Sequence, residues 1–268
     1  MSDALYRFKP GKKVDLSDWP TGETGPLKDK SAAKPLVERD LARLVELQDL
    51  LYASGKHALL IVLQAMDAGG KDGSISHVFS GVNPQGCNVT SFKVPTHEEL
   101  AHDYLWRYHL ACPKRGMIGI FNRSHYESVL VERVHKIAPK HIWSKRFDQI
   151  NQFETMLTVE GTVILKFFLH ISKQEQKRRL EARLKDKNKN WKFDLNDIAE
   201  RRHWSKYMTA WKDILEKTST DDAPWYVVPA DHKWFRNWFL SDRIVRTLEN
   251  LKLKYPPAPK GIKHIKIK

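Results

Sequence analysis

The run Ala65-Met66-Asp67-Ala68-Gly69-Gly70-Lys71-Asp72-Gly73-Ser74 places glycines, a lysine and two carboxylates between an apolar stretch and a helix-forming one. Such a turn can wrap backbone N–H groups around a phosphate, add the positive end of the following helix, and neutralise phosphate oxygens with the lysine. Two positions depart from the common phosphate-loop pattern. Ala65 stands where that pattern has its first glycine, and Asp72 where Ser or Thr would hold Mg²⁺. A plain glycine-rich connection fits the same letters, so phosphate binding needs support from elsewhere in the chain.

That support comes from Asn122-Arg123-Ser124-His125-Tyr126-Glu127, which closes another apolar run. In open α/β sheets ligands bind beyond the carboxyl ends of the strands, and an arginine there can grip phosphate oxygens with its planar fork. The same residues also read as a helix start, with Ser124 as N-cap and Glu127 three positions on as its capping-box partner. The two roles are compatible. A third candidate is the stretch 173–206, with twelve Lys/Arg, six Asp/Glu and a narrow apolar seam of Leu180 and Leu184. Arg179 and Arg183 lie four apart and share one helix face. A cationic lid and an ordinary solvated helix both fit that pattern.

The elements that must position these residues alternate. Leucines recurring at three and four over 35–53 predict an amphipathic helix, with Pro35 in its first turn. The continuous apolar run 57–65 reads as a strand of the kind buried in a parallel sheet, and 88–94, 116–121, 162–171 and 224–230 read as further strands. Helical patterns fill the gaps over 97–110, 125–135, 145–158 and 173–217, and a last one covers 233–250. The expectation is an α/β fold, one domain over 1–268, with a five-stranded parallel sheet flanked by helices. Residues 1–34 are expected to form an extended arm. The tail 251–268, with six lysines and no acid, is expected to be mobile or docked on another subunit.

Forty-six Lys/Arg against 32 Asp/Glu leave a net charge of +14, a field that attracts polyanions. Nucleic acid, an anionic membrane surface and a phosphate-rich small substrate all answer to that sign. No apolar run is long enough for a membrane span, and the N-terminal stretch lacks signal-peptide character. Cys87 and Cys112 read as thiols of a reducing compartment, and His97, His102 and His109 are too widely spaced for a tight metal face.

The segments DAGGKDG, FNRSHYESVLVERV, WKFDLND and DDAPWYVVPADHKWFR resemble the polyphosphate kinase 2 family, and its third class most, over nearly the whole chain. The resemblance implies a thymidylate-kinase-like phosphate-loop core and a helical lid at about 173–217. It also implies Mg²⁺, with Mn²⁺ as a substitute, and inorganic polyphosphate as donor to AMP and ADP, with ATP as product and GMP and GDP as further candidates. By position, Asp67 and Glu127 would hold the metal, Lys71 the transferring phosphoryl group, and Arg123 the charge that spreads over it. Gly70, Asp72 and Gly73 would line the loop; Arg107, Arg133, Arg179 and Arg183 are phosphate contacts on the same basis. Many relatives carry Asp where this chain has Asn122, which is taken here with Trp191 and Lys192 as nucleotide-binding; Trp191 or Phe193 would lie near the base. A cytoplasmic homo-oligomer, dimer or tetramer, without nucleic-acid or membrane partners is expected. An ATP-dependent nucleoside monophosphate kinase and a nucleic-acid-binding module are the rivals.

Overall fold

A computed structural model describes residues 6–262. Its strands are β1 (Ala58–Ala65), β2 (Cys87–Ser91), β3 (Ile118–Asn122), β4 (Thr162–His170) and β5 (Trp225–Pro229). They form one sheet in the order β2-β3-β1-β4-β5, and every pairing is parallel. The helices are α1 (Lys30–Ser54), α2 (Lys71–Val78), α3 (His97–Ala101), α4 (Trp106–Leu110), α5 (Val131–Val134) and α6 (Lys140–Trp143). They continue as α7 (Arg146–Val159), α8 (Lys173–Lys185), α9 (Leu195–Arg202), α10 (Trp204–Thr218) and α11 (Lys233–Asn250).

The apolar strand residues serve two layers, because successive side chains point to opposite faces. Leu59, Ile61 and Leu63 pack with Leu44, Leu47 and Leu51 of α1 and with Phe235, Trp238 and Phe239 of α11. Leu60 and Val62 join Phe147 and Ile150 of α7 and Trp211 and Ile214 of α10 on the other face. Trp211 lies flat on Phe168, ring centres 3.8 Å apart. β1 runs through the middle, so the loop that follows it is framed by the ends of β3 and β4.

Several boundaries differ from the sequence expectation. α1 begins at Lys30, not Pro35, because Asp29 caps it by accepting from Ser31 N and Ala32 N at 2.8 and 3.0 Å. Pro35 therefore lies beyond the first turn. The single helix expected over 97–110 is two: Asp103 accepts from Leu105 N at 2.9 Å, a local bond that competes with helix continuation. His125–Val129 is a 3₁₀ turn rather than the start of one helix. The 173–217 stretch also divides, since α10 buries Tyr207, Ala210, Trp211, Ile214 and Leu215 and belongs to the core. Leu184, taken as half of an apolar seam, is 53% exposed.

The N-terminal arm is built into the sheet rather than merely laid over it. Phe8 N donates to Trp225 O at 2.8 Å and Val227 N to Tyr6 O at 2.9 Å, covering the open edge of β5. The C-terminal tail turns back on its own chain: Leu253 packs on the core and Tyr255 donates to Asp49 of α1 at 2.6 Å. Residues 263–268 of the basic tail lie outside the described residues.

Phe8 is 3% exposed and pins the arm to the α7–α10 face. Phe8→Ala is expected to lower unfolding free energy by about 3–4 kcal/mol, measured by urea denaturation. A loss below about 1 kcal/mol would mean that the arm is not part of the core.

Candidate active site

β1 and β3 are hydrogen-bonded neighbours with Leu63 opposite Asn122, so the turns that follow them emerge side by side. In the first, Gly69 N donates to Met66 O at 2.9 Å and Gly70 takes a left-handed conformation at φ 103°. A side chain at Gly70 would be strained by that conformation, and its Cβ would have to displace the Arg236 guanidinium. α2 opens at Lys71 with no side chain capping its first N–H groups, which leaves them for an anion. Ala68 and Arg123 are left-handed as well, at φ 59° and 65°. Non-glycine residues adopt that conformation only where their surroundings enforce it, and here one stands in each of the two adjoining turns.

The charged side chains converge. Arg123 Nη2 lies 3.5 Å from Asp67 Oδ1. Lys71 Nζ donates to Ala65 O at 3.3 Å. Burial, with Arg123 beside it, pulls the Lys71 pKa down, while Asp67, Glu127 and Asp72 act to keep the ammonium charged. Burial pushes the Glu127 carboxyl up against the opposing pull of Arg123 and Lys71. Glu127 is thus turned into the charged cluster, and the capping box is not made. Ser124 is the N-cap of the 3₁₀ turn, but its hydroxyl accepts from Tyr126 N at 3.3 Å and from Gln64 Nε2 at 3.1 Å. Asn122 Nδ2 donates to Asp72 Oδ1 at 2.7 Å, so an aspartate at 122 would set two carboxylates against each other.

Asp67, Asp72 and Glu127 are hard oxygen donors, the kind that suits Mg²⁺ or Mn²⁺. Among the described residues no group of three or more His, Cys, Asp or Glu forms a ready metal cage. One or two carboxylates completed by phosphate oxygens is how Mg²⁺ is commonly held at phosphoryl-transfer sites, and these residues fit that arrangement.

The sequence and the fold have parallels that settle the family. The model of the family "Polyphosphate kinase 2" matches residues 27–256. The chain belongs to the polyphosphate kinase 2 family. It is 51% identical to the AMP/ADP-polyphosphate phosphotransferase of Meiothermus ruber over 252 residues, 94% of each chain. It is 48% identical to the ADP-polyphosphate phosphotransferase of Rhodopseudomonas palustris, covering 94% of this chain and 91% of the relative. The crystal structure of Polyphosphate Kinase 2 from Arthrobacter aurescens TC1 superposes with a TM-score of 0.93 at 43% identity, over 96% of this chain and 93% of the other. The expected parallel five-stranded kinase-like fold is thereby established.

The arginines expected to contact phosphate in this polyphosphate kinase 2 chain also bond to the protein itself, Arg179 most fully. Its Nη1 donates to Ala68 O and Gly69 O at 3.1 and 2.9 Å, its Nη2 to Ala230 O and Asp231 O, and its Nε to Glu175 at 2.6 Å. All five N–H groups are engaged, so Arg179 staples the glycine loop to the end of β5. Arg183 reaches Asp197 at 3.3 Å and Lys192 O at 3.5 Å and ties α8 to α9. Arg107 pairs with Glu99 at 3.0 Å and donates to Lys93 O; Arg133 pairs with Asp213 at 2.7 Å and covers the Trp143 ring. Trp191 and Lys192 stand exposed at the tip between α8 and α9, with Lys192 Nζ 4.9 Å from the Trp191 ring centre.

Sequence reasoning passed over the buried support. Lys166, in the middle of β4, donates to Glu154 at 2.5 Å, to Tyr126 Oη at 2.8 Å and to Thr218 O at 2.7 Å. Tyr126 Oη and His125 Nε2 meet the other Glu154 oxygen at 2.8 and 3.1 Å. All these side chains are at most 2% exposed, so the residues following Arg123 are fixed by a charged network inside the core. One charged letter within the apolar run 162–171 was its signal. Gln176, whose Nε2 donates to Asp67 O at 3.0 Å, left no such signal. Asp197 of α9 was likewise missed; burial and Asp67 lift its pKa to about 6 against the pull of Arg183.

Lys166→Met leaves Glu154 as a buried carboxylate without its cation and is expected to cost about 3–5 kcal/mol in urea unfolding; adding Glu154→Leu should recover part of that. A double variant no more stable than the single one contradicts this account. Asp197 gives a second expectation. The folded protein retains a proton there that the unfolded chain, with a pKa near 3.8, has released. This group's contribution to stability therefore falls as pH rises from about 4 to about 6. Asp197→Asn should flatten that part of the stability profile in metal-free buffer; an unchanged profile refutes the shift.

Proposed function

We propose that the protein is a divalent-cation-dependent phosphotransferase that moves terminal phosphoryl groups between inorganic polyphosphate and nucleotides, converting AMP into ADP and ADP into ATP. Guanine nucleotides are further acceptors in this proposal. The observation that carries it is the convergence of Lys71 and Arg123 with Asp67 and Glu127 beside the uncapped start of α2. The relatives' names supply the substrates: the Meiothermus ruber protein is an AMP/ADP-polyphosphate phosphotransferase.

The residues assign themselves to parts of an in-line displacement. A terminal phosphate oxygen of the nucleotide attacks the last phosphorus of the polyphosphate chain. The bond from that phosphorus to the next bridging oxygen breaks, and the shortened chain leaves with the electron pair. No covalent enzyme intermediate is required, because donor and acceptor meet directly once their charges are screened. The N–H groups at the start of α2 and the Lys71 ammonium hold the transferring group. Arg123 stabilises the charge that spreads over its oxygens. Asp67 and Glu127 would hold Mg²⁺, with Mn²⁺ as a substitute; the ion, when bound, neutralises phosphate oxygens. The segment from α8 to α9 acts as the lid, with Trp191 and Lys192 at its tip meeting the nucleotide. Asn122 orients Asp72, and so the mouth of the loop.

An ATP-dependent monophosphate kinase would share the fold but not the donor, and Asp72 in place of a metal-holding hydroxyl sets this loop apart from the ordinary ATP-cradling one. The deciding experiment incubates AMP or ADP with polyphosphate and Mg²⁺ and supplies no ATP. Formation of ADP and ATP is expected. Lys71→Ala and Arg123→Ala should each lower turnover at least about a hundredfold. Near-normal turnover by both variants, or no product from the wild type, refutes the assignment.

A further inference from the structure

Arg236 touches the glycine loop from α11 and has no carboxylate partner among the described residues. Its side chain is almost wholly enclosed, the residue being 2% exposed. Nε and Nη2 share the amide oxygen of Asn237 at 3.2 and 2.8 Å, and Nη1 makes only a long contact of 3.4 Å with Gly69 O. The guanidinium fills the space a Gly70 side chain would take and comes within 3.8 Å of a Cβ position at Gly73. Burial, with Arg179 beside it, pulls its pKa down to about 9, so it is still cationic at neutral pH. Lys233, one turn earlier on α11, is exposed and also lies in the field of Arg179 and Arg236.

A buried cation without an anion is costly, and native structures compensate it with a counter-charge. The nearby carboxylate, Glu175, is already used by Arg178 and Arg179 at 2.6–2.7 Å. The missing counter-charge must therefore come with a ligand. The two flanks of the loop differ in charge: Asp67, Asp72 and Glu127 gather toward β3 with Arg123 among them, whereas Arg236 and Lys233, cations both, follow β5. An all-phosphate chain asks only for cations, while a nucleotide phosphate bound with a metal ion also needs the carboxylates.

We propose that Arg236, assisted by Lys233, is a further phosphate-binding residue, which engages the phosphoryl units of the inorganic polyphosphate chain as it leaves the glycine loop on the β5 flank. The nucleotide phosphates then occupy the β3 flank. This rests on the polyphosphate reading of the site given under Proposed function.

The test is Arg236→Met, with Arg236→Lys as the conservative variant and Lys233→Ala as an exposed one that leaves the core intact. Arg236→Met should raise KM for polyphosphate at least tenfold and leave KM for ADP within twofold. Arg236→Lys should recover a part of the loss, and Lys233→Ala should raise the polyphosphate KM about threefold. The ligand-free Arg236→Met protein should melt no lower than wild type, and added tripolyphosphate should raise its melting temperature less. A merely structural arginine would instead give a lower melting temperature with unchanged KM values. Wild-type transfer from polyphosphate, combined with an unchanged polyphosphate KM in Arg236→Met and Lys233→Ala, overturns this assignment and leaves the function standing. A raised KM for ADP alone overturns it too. Should Arg236→Met fail to fold, an unchanged polyphosphate KM in Lys233→Ala is the overturning result. A wild type that makes no ATP from ADP and polyphosphate ends the functional reading, and this assignment with it.

Discussion

The guanidinium of Arg179 sets the shape of the glycine loop with all five of its N–H groups. It draws the carbonyls of Ala68 and Gly69 toward α8 and those of Ala230 and Asp231 with them. A trans peptide carries its C=O and N–H on opposite sides. Holding the Gly69 carbonyl on the α8 side therefore turns the Gly70 N–H, at the uncapped start of α2, the other way. One buried arginine thus couples α8, the loop and the end of β5. A movement of α8 cannot leave the loop unchanged.

The second turn is supported from the opposite face of the sheet. Lys166, Glu154, Tyr126 and His125 close a fully buried network, and Gln64 at the end of β1 bonds Ser124 across the gap between the two turns. Only His125 Nδ1 and Gln64 Oε1 in this set lack a hydrogen-bond partner, and a buried network this nearly satisfied rigidifies what it joins. That rigidity is what allows Arg123 to keep a left-handed backbone and present its side chain beside Asp67. The site is a pair of strained turns, each braced by groups that take no part in the chemistry.

Much of this was legible in the letters. The five strands lie close to the stretches that suggested them; for β1, β3, β4 and β5 the reason is that a strand buried on both faces has little choice of composition, whereas β2 is a half-exposed edge. The glycine loop and the NRSHYE turn could be joined in advance because sheet topology brings strand ends together. Helix starts were less legible: Asp29 outweighed Pro35, and Asp103 cut one helix in two, each through a single local hydrogen bond. The 173–217 stretch looked uniform by charge, yet α10 hides Trp211 and Ile214 on one side, and only packing reveals which part stands off the core. Arginine roles were least legible. Arg123, Arg179 and Arg236 are the same letter, and what separates them is how many of their N–H groups the protein itself has already used.

The central claim is that the backbone N–H groups of residues 70–73, together with Lys71 and Arg123, receive a phosphoryl group. Amide-resolved NMR, with polyphosphate titrated into the Mg²⁺-containing protein, addresses it most directly. The account predicts that the amide resonances of Gly70, Lys71, Asp72 and Gly73 shift together in a saturable manner and become protected from solvent exchange. Saturable binding and phosphate transfer with those four amides unperturbed would contradict it.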